Sequence, residues 1–452
     1  MKNACNPNHS AHIVVLSGVE KHPNADKLQK ARAFGVGIIV GLDAQNGDTG
    51  VYFQSGLAID YDFAKINDLL RRKNPETGAQ EGGMLEDSGR IKTQRLRGEV
   101  SDGLFLPLNS LTEAGVSKQE IKNLQPGDFF EELDGIKICT KYIPKGTKNN
   151  GGASGTKMKK TKGSIMFKEH YDTSQLRFNL HKFTSDDSIV VSEKLHGTSQ
   201  RVGYVQKVTE LTGLNKFVAR LFGHETKKYE WDEMIGTRKT VLNTTDNTGF
   251  YSSDFRFEAA MPFFDKLQKG ETVYYEVVGY ADEKPIMGTV DNEKLGPEFV
   301  AQYGKKTTFT YGCTVGMCDI FIYRITLTNE DGYTMDYTWD AIEKRCSELG
   351  IKHVPVLFKG SVLNFIAGQV IESETPVSIG QYVEKTAGAY AKGPSTIVGT
   401  EPFPPAHIKE GVVIRLEGTS CPTTFKHKSF EFKVLEGIIK LETAGVDNAE
   451  EL

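Results

Sequence analysis

Lys194 closes an apolar run, Ile189-Val190-Val191, and stands three residues before Gly197 in the stretch V-S-E-K-L-H-G-T-S, residues 191–199. Val202, Tyr204 and Val205 resume the apolar pattern, which reads as a strand, a short turn and a second strand. A lysine in that position is either a snorkelling surface residue or a nucleophile whose amine its surroundings keep neutral. Four more segments carry groups able to handle phosphates: Arg238 in GTRKT, Glu276 in VYYEVVG, Glu410 in KEGVVIR, and Lys426 with Lys428 in FKHKS. A glutamate inside a β-rich run costs desolvation unless it is paired or meets a ligand or metal. Lys426 and Lys428 differ by two, so on a strand they project to one side, and two aligned ammoniums suit a polyphosphate.

Strands must hold these groups. The second half of the chain offers ETVYYEVVGY at 271–280, an aromatic run from residue 308, EGVVIRLEG at 410–418 and FEFKVLEG from residue 430, all expected as strands. Residues 227–249, KKYEWDEMIGTRKTVLNTTDNTG, read as a charged connection. Trp339–Gly350 reads as an amphipathic helix with Ala341, Ile342 and Leu349 facing a core. In the first half, Pro23-Asn24-Ala25-Asp26 marks a turn, Ile38-Ile39-Val40 a strand, and residues 63–70 a short helix. A basic strand spans Arg90–Arg97, and a Ser-Asp-Gly turn leads into Leu104-Phe105-Leu106. Short strands of this kind fit a small closed barrel better than a parallel sheet. Between the halves, Lys137 to Lys168 holds nine lysines and no acidic residue around the core NNGGASG, the composition of a flexible tether that could also touch phosphates.

The totals narrow the class. A chain of 452 residues exceeds one core, and 38% hydrophobic with 25% charged residues is ordinary for a soluble protein. No apolar run is long enough to span a membrane, and the N-terminus lacks a signal-peptide pattern. Six scattered cysteines without a CxxC pair argue against a zinc cluster and for a reducing, cytoplasmic setting. A net charge of -4 means that any nucleic-acid partner needs a local basic surface.

The order of these motifs resembles the covalent nucleotidyltransferase superfamily of ATP-dependent ligases and capping enzymes: K-x-x-G, an arginine, Y-Y-E-V-V-G, an aromatic strand, K-E-G-V-V-I-R, then K-x-K. E-K-L-H-G-T-S is most similar to the RNA ligases that carry an N-terminal OB domain. Only 24 residues follow Lys428, too few for a C-terminal OB domain. HPNADKL and the later I-K-T-Q-R-L-R-G-E-V-S-D-G resemble a tRNA-binding OB module. The resemblance implies an α+β chain: an N-terminal OB-fold β-barrel over 1–144, a basic flexible linker over 145–164, and an ATP-grasp-like nucleotidyltransferase domain on antiparallel sheets over 165–452.

It also implies roles. Lys194 would attack the α-phosphorus of ATP, its pKa lowered by Lys426 and Lys428 or by desolvation. Those two lysines would neutralise the phosphate, and Glu193, Leu195, Gly197 and Arg238 would complete the nucleotide site. Glu276 would meet the ribose. Glu410, with Glu276, would organise Mg2+ or Mn2+, and Phe321 or Tyr323 would stack on adenine. Arg90, Lys92, Arg95, Arg97 and Ser199 would meet RNA, though strand alternation does not put all four basic residues on one side. Ser199 and Arg324 depart from the residues that some ligases carry there. The implied reaction joins RNA 3′-hydroxyl and 5′-phosphate ends, at nicks, with no membrane and no obligate protein partner. The alternatives are a capping-type guanylyltransferase and a catalytically silent RNA-binding OB protein.

Overall fold

The computed structural model describes residues 2–73, 80–143, 164–211, 226–242, 255–368, 378–397, 407–418 and 422–440, with positions 213, 217, 221, 222 and 224. The expected linker, 145–164, lies outside these except for Ser164. The chain divides into two compact units, residues 1–148 with 433–452, and residues 149–432. The last twenty residues therefore group with the first unit, where the expected catalytic span had included them. The link is visible at Ile439–Lys440, which pairs in parallel with Thr93 and Gln94.

In the first unit, one sheet orders the strands Leu104–Pro107, Thr49–Phe53, Ala11–Val15 and Phe129–Phe130. A second joins Ser17–Lys21, Leu28–Ala33 and Val36–Gly41, and a third joins Glu99–Asp102, Thr93–Leu96 and Ile439–Lys440. Among the described residues no sheet closes into a barrel. Ile13, Val51, Phe53, Phe63, Leu111 and Phe130 make the core. The helix expected over 63–70 runs from Tyr61 to Ile66, because Asp60 caps it by accepting from the Asp62 amide and the chain then turns at Asp68. The two signature segments meet. His22 Nε2 lies 3.1 Å from the Leu96 carbonyl, and Asn24 Nδ2 donates to the Arg97 carbonyl at 3.0 Å.

The second unit rests on two mainly antiparallel sheets. The first orders Ser174–Gln175, Thr423–Lys428, Gly411–Leu416, Ser188–Lys194 and Val356–Ser361. Ile189, Val191, Ile414 and Phe425 pack its rear face against Val362, Phe365, Val383 and Ala387, which lie on or beside helices Val362–Ile366 and Ile379–Ala391. The other orders Lys227–Thr237, Thr198–Glu210, Glu271–Ala281, Cys318–Thr328 and Thr334–Asp336. Three expectations are corrected here. Lys227–Thr237 is an eleven-residue strand, not a connection; it occupies the sheet edge, where charged side chains are tolerated. Phe430–Leu435 is a helix, not a strand, because the Ser429 hydroxyl accepts from the Phe432 amide and starts a helical turn. The aromatic run becomes a strand only at Cys318, after the turns around Tyr311, Gly312 and Gly316, all at positive φ. The helix Trp339–Leu349 forms as expected, but it buries Trp339, Ile342, Cys346 and Leu349 and leaves Ala341 half-buried.

Candidate active site

Strand register assembles the site. Lys194 stands opposite Gly411, and Gly411 opposite Lys428, so the three lie in one row across neighbouring strands. The adjacent row on the same face is Ser192, Val413 and Lys426. Gly411 permits this closeness, since a Cβ there would lie 2.1 Å from the His427 carbonyl oxygen. Gly197, past the nucleophile strand, packs against the second sheet, where a Cβ would lie 2.4 Å from the Val277 carbonyl oxygen, and its backbone N–H meets the Glu276 carboxylate. In that sheet Ser199, Glu276 and Phe321 form another row. A cavity of about 590 Å3 is lined from both sheets by Glu193, Lys194, Leu195, Gly197, Ser199, Arg238, Glu276, Tyr323, Glu410, Lys426 and Lys428, among others.

The charges are tightly coupled. Glu410 Oε1 lies 2.8 Å from Lys194 Nζ and 3.2 Å from Lys428 Nζ, and the carboxylate is almost wholly buried. Burial alone would push the Glu410 pKa up, but the ammoniums of Lys194 and Lys428 outweigh it and hold the carboxyl well below its usual range. Glu276 behaves oppositely: burial raises its pKa to about 7, against the pull of Lys194. Lys426 is lowered to about 8, by burial first and then by repulsion from Lys194, Lys428 and Arg238. The cavity thus holds a carboxylate kept charged, one poised near neutrality, and an ammonium able to lose its proton in mildly alkaline solution.

The sequence model of the family described as RNA ligase matches residues 187–435, more than half of the chain. The chain belongs to the RNA ligase family. Solved structures of the Naegleria gruberi RNA ligase share its fold. A lysine-to-alanine variant with ATP and Mn is 17% identical with a TM-score of 0.54, covering 94% of this chain and 97% of that one. The same ligase with pyrophosphate is 17% identical with a TM-score of 0.53, at 94% and 97% coverage. A lysine-to-methionine variant with AMP and Mn is 18% identical with a TM-score of 0.52, at 93% and 96% coverage. No match emerges among curated proteins.

Against this family background, several residues expected at the site do other work. Glu193 lines the cavity, yet its buried carboxylate is taken up by Ser395 Oγ at 2.6 Å, the Thr396 amide at 2.8 Å and Thr396 Oγ1 at 2.6 Å. Ser199 lies in the cavity and bonds the Tyr323 hydroxyl at 2.7 Å. A bulge separates Phe321 from Tyr323 along their strand. Tyr274 pairs with Arg324 and Tyr275 with Ile322, leaving Tyr323 as the extra residue. Consecutive side chains, Tyr323 and Arg324, therefore both line the cavity, whereas Phe321 is buried and does not. Arg324 is held bidentate by Asp336, at 2.6 and 2.9 Å, with the rings of Tyr171 and Tyr274 at 4.4 and 4.8 Å. Arg238 pairs with Asp172.

The four basic residues expected to meet RNA, Arg90, Lys92, Arg95 and Arg97, are half-buried. Arg90 donates to the Gly437 carbonyl and lies over the Tyr142 ring, Lys92 pairs with Glu86, and Arg95 donates to the Gly98 carbonyl. Arg97 sits at positive φ in the turn that Asn24 braces. His170 and His196 carry no assignment from sequence. His170 lines the cavity as a neutral imidazole, its pKa pushed well down by burial and by Arg324, Arg238 and Arg201. His196 sits between the rings of Phe309 and Phe432, with Nδ1 3.6 Å from Glu410 Oε2. Only the H of E-K-L-H-G could have pointed to His196; nothing local marks His170.

Among the described residues no group of three or more His, Cys, Asp or Glu side chains gathers to hold a metal. Glu410 Oε2 is nonetheless buried without a hydrogen-bond partner, and Glu276 faces the same cavity. Two carboxylates suffice for magnesium or manganese when phosphates and waters supply the remaining ligands. The residues present fit such an ion.

Proposed function

We propose that this chain is an ATP-dependent RNA ligase that seals a 3′-hydroxyl to a 5′-phosphate, at nicks, through a lysyl-adenylate and an adenylated RNA end. The observation that carries the reading is the row Lys194, Gly411, Lys428, with Glu410 bridging the two ammoniums. Lys194 Nζ attacks the α-phosphorus, forming an N–P bond as the α–β bridge breaks and pyrophosphate leaves. An oxygen of the RNA 5′-phosphate then takes the adenylate and frees Lys194. The 3′-hydroxyl finally attacks that phosphate, closing the phosphodiester and releasing AMP.

The first step needs Nζ as a free amine, because only its lone pair can attack phosphorus. Mg2+ or Mn2+, held by Glu410 and Glu276 with the nucleotide's phosphates, would supply charge that competes for Glu410 and offsets charge at phosphorus. Lys426 and Lys428 face the same phosphate from the adjoining strand. Tyr323 offers the stacking face for adenine, Glu276 an acceptor for ribose hydroxyls, and Arg238 a donor for a phosphate. The ATP, AMP, pyrophosphate and manganese in the Naegleria structures support the same ligand set.

The first unit is the proposed RNA-gripping module of OB type, supported by the contact between its HPNADKL and RLRG segments. A cytoplasmic setting is supported by free Cys5, Cys139, Cys313, Cys318 and Cys346. Among the described residues no helix is long and apolar enough to cross a membrane.

The test is covalent labelling with α-labelled ATP or GTP and magnesium, followed by sealing of a nicked RNA duplex. Label from ATP, lost in Lys194→Ala, is expected. Label from GTP alone would favour the guanylyltransferase reading, and sealing by Lys194→Ala would move the nucleophile elsewhere.

A further inference from the structure

Arg201 is about 1% exposed, and its guanidinium hydrogen-bonds to two backbone carbonyls, with the carboxylate of Glu169 adding a charge attraction. Burying a cation that way is costly, and burial lowers its pKa. What holds it is backbone. One terminal nitrogen, Nη1, donates to the Thr237 carbonyl at 2.6 Å and to the Arg238 carbonyl at 2.5 Å, while the guanidinium lies over the Phe167 ring at 4.6 Å. Gly236 leaves the space, since a Cβ there would approach Arg201 Cζ to 3.3 Å and Phe167 Cε1 to 3.0 Å. The braced segment is a tight turn: Thr237 N bonds Thr240 O at 2.8 Å, and Thr240 N bonds Thr237 Oγ1 at 3.1 Å. That turn carries Arg238 and Lys239 into the cavity lining.

We infer that Arg201 is a positioning residue, which fixes the Thr237–Thr240 turn so that the Arg238 guanidinium is aimed before substrate arrives. A methionine would fill the same volume without the penalty of a buried charge, so packing alone does not explain an arginine here. The two N–H donors on Nη1 tie two successive carbonyls from one nitrogen, which an apolar side chain of the same volume cannot do. Asp172 completes the aim by pairing with the Arg238 guanidinium from the opposite end of the side chain. The catalytic consequence rests on the proposed phosphate contact of Arg238; the mechanical claim does not.

The experiment compares Arg201→Met, Arg201→Lys, Arg238→Ala and the double variant Arg201→Met/Arg238→Ala in the full chain, with melting curves to verify folding. Hydrogen exchange is read at the Thr237, Thr240 and Leu242 amides and, as a reference, along Glu271–Ala281. Exchange in the turn should rise in Arg201→Met, and less in Arg201→Lys, while the reference strand stays protected. Single-turnover sealing from pre-adenylated protein should fall roughly ten- to a hundredfold in Arg201→Met, the scale of a misplaced contact group. The double variant should be no slower than Arg238→Ala. Unchanged exchange in the turn would overturn the inference whatever Arg238 does, as would multiplicative losses in the double variant. A loosened turn with full activity in Arg238→Ala would leave Arg201 as the brace and remove the proposed phosphate role of Arg238. If Arg201→Met does not fold, Arg201→Lys decides by the same two readings.

Discussion

Glu410 Oε1 lies 2.8 Å from Lys194 Nζ, and the same oxygen lies 3.2 Å from Lys428 Nζ. One buried carboxylate thus restrains the candidate nucleophile and the phosphate-facing lysine together. Glu410→Gln keeps the shape and removes the charge, leaving the lysines to repel one another. Self-adenylation should fall by roughly a hundredfold, the usual scale for losing one electrostatic group at a reacting centre. Rates within a factor of two of the unchanged protein would argue against this role.

Lys194→Ala should behave differently. Lys428 still pairs with Glu410, so no buried charge is stranded. The variant should melt close to the unchanged protein yet take no covalent label on a denaturing gel.

The two poised groups predict a pH profile. Glu276, with its pKa near 7, ionises as pH rises, and Lys426, near 8, loses its charge slightly higher. Self-adenylation should climb through about 7 and lose the Lys426 contribution above about 8. Lys426→Arg stays charged and should extend the alkaline side; an unchanged alkaline limb would exclude Lys426 as its cause.

Stability follows from the same shift. The folded protein keeps the Glu276 proton up to about 7, whereas the unfolded carboxyl releases it near 4.5, so stability declines between those values as pH rises. Glu276→Gln has no proton to lose. Its melting temperature relative to the unchanged protein should therefore be higher at pH 8 than at pH 4, which differential scanning calorimetry can read.

Tyr323 lines the cavity and Phe321 does not. Tyr323→Ala should raise the KM for ATP about tenfold, as expected for a lost base-stacking ring. Phe321→Ala should instead lower stability, by about 3 kcal/mol, through a core cavity. The reverse pattern in initial rates and urea melts would reassign the stacking ring.

How much of this was legible in the chain can be argued residue by residue. Alternation with a period of two put Lys426 and Lys428 on one face, and both line the cavity. The apolar runs before Lys194, around Glu276 and after Glu410 marked their strands, because those strands are buried along most of their length. Local signals misled where two of them competed. In F-E-F-K-V-L the β-favouring side chains read as a strand, but the cap from Ser429 turned it into a helix.

The motif types, their order and the strand periods are properties of neighbours along the chain, so spacing alone was enough to nominate the nucleophile, the carboxylates and the paired lysines. Partner choice is not local. Which carboxylate meets Lys194, why Glu193 is consumed by Ser395 and Thr396, and why Arg324 is locked to Asp336 depend on register between strands far apart in sequence. A single inserted residue at Tyr323 reorders one face without altering any sequence period. The shifts of Glu276 and Lys426 arise only when folding removes water and brings charges from several strands within reach of one another, which no linear pattern records.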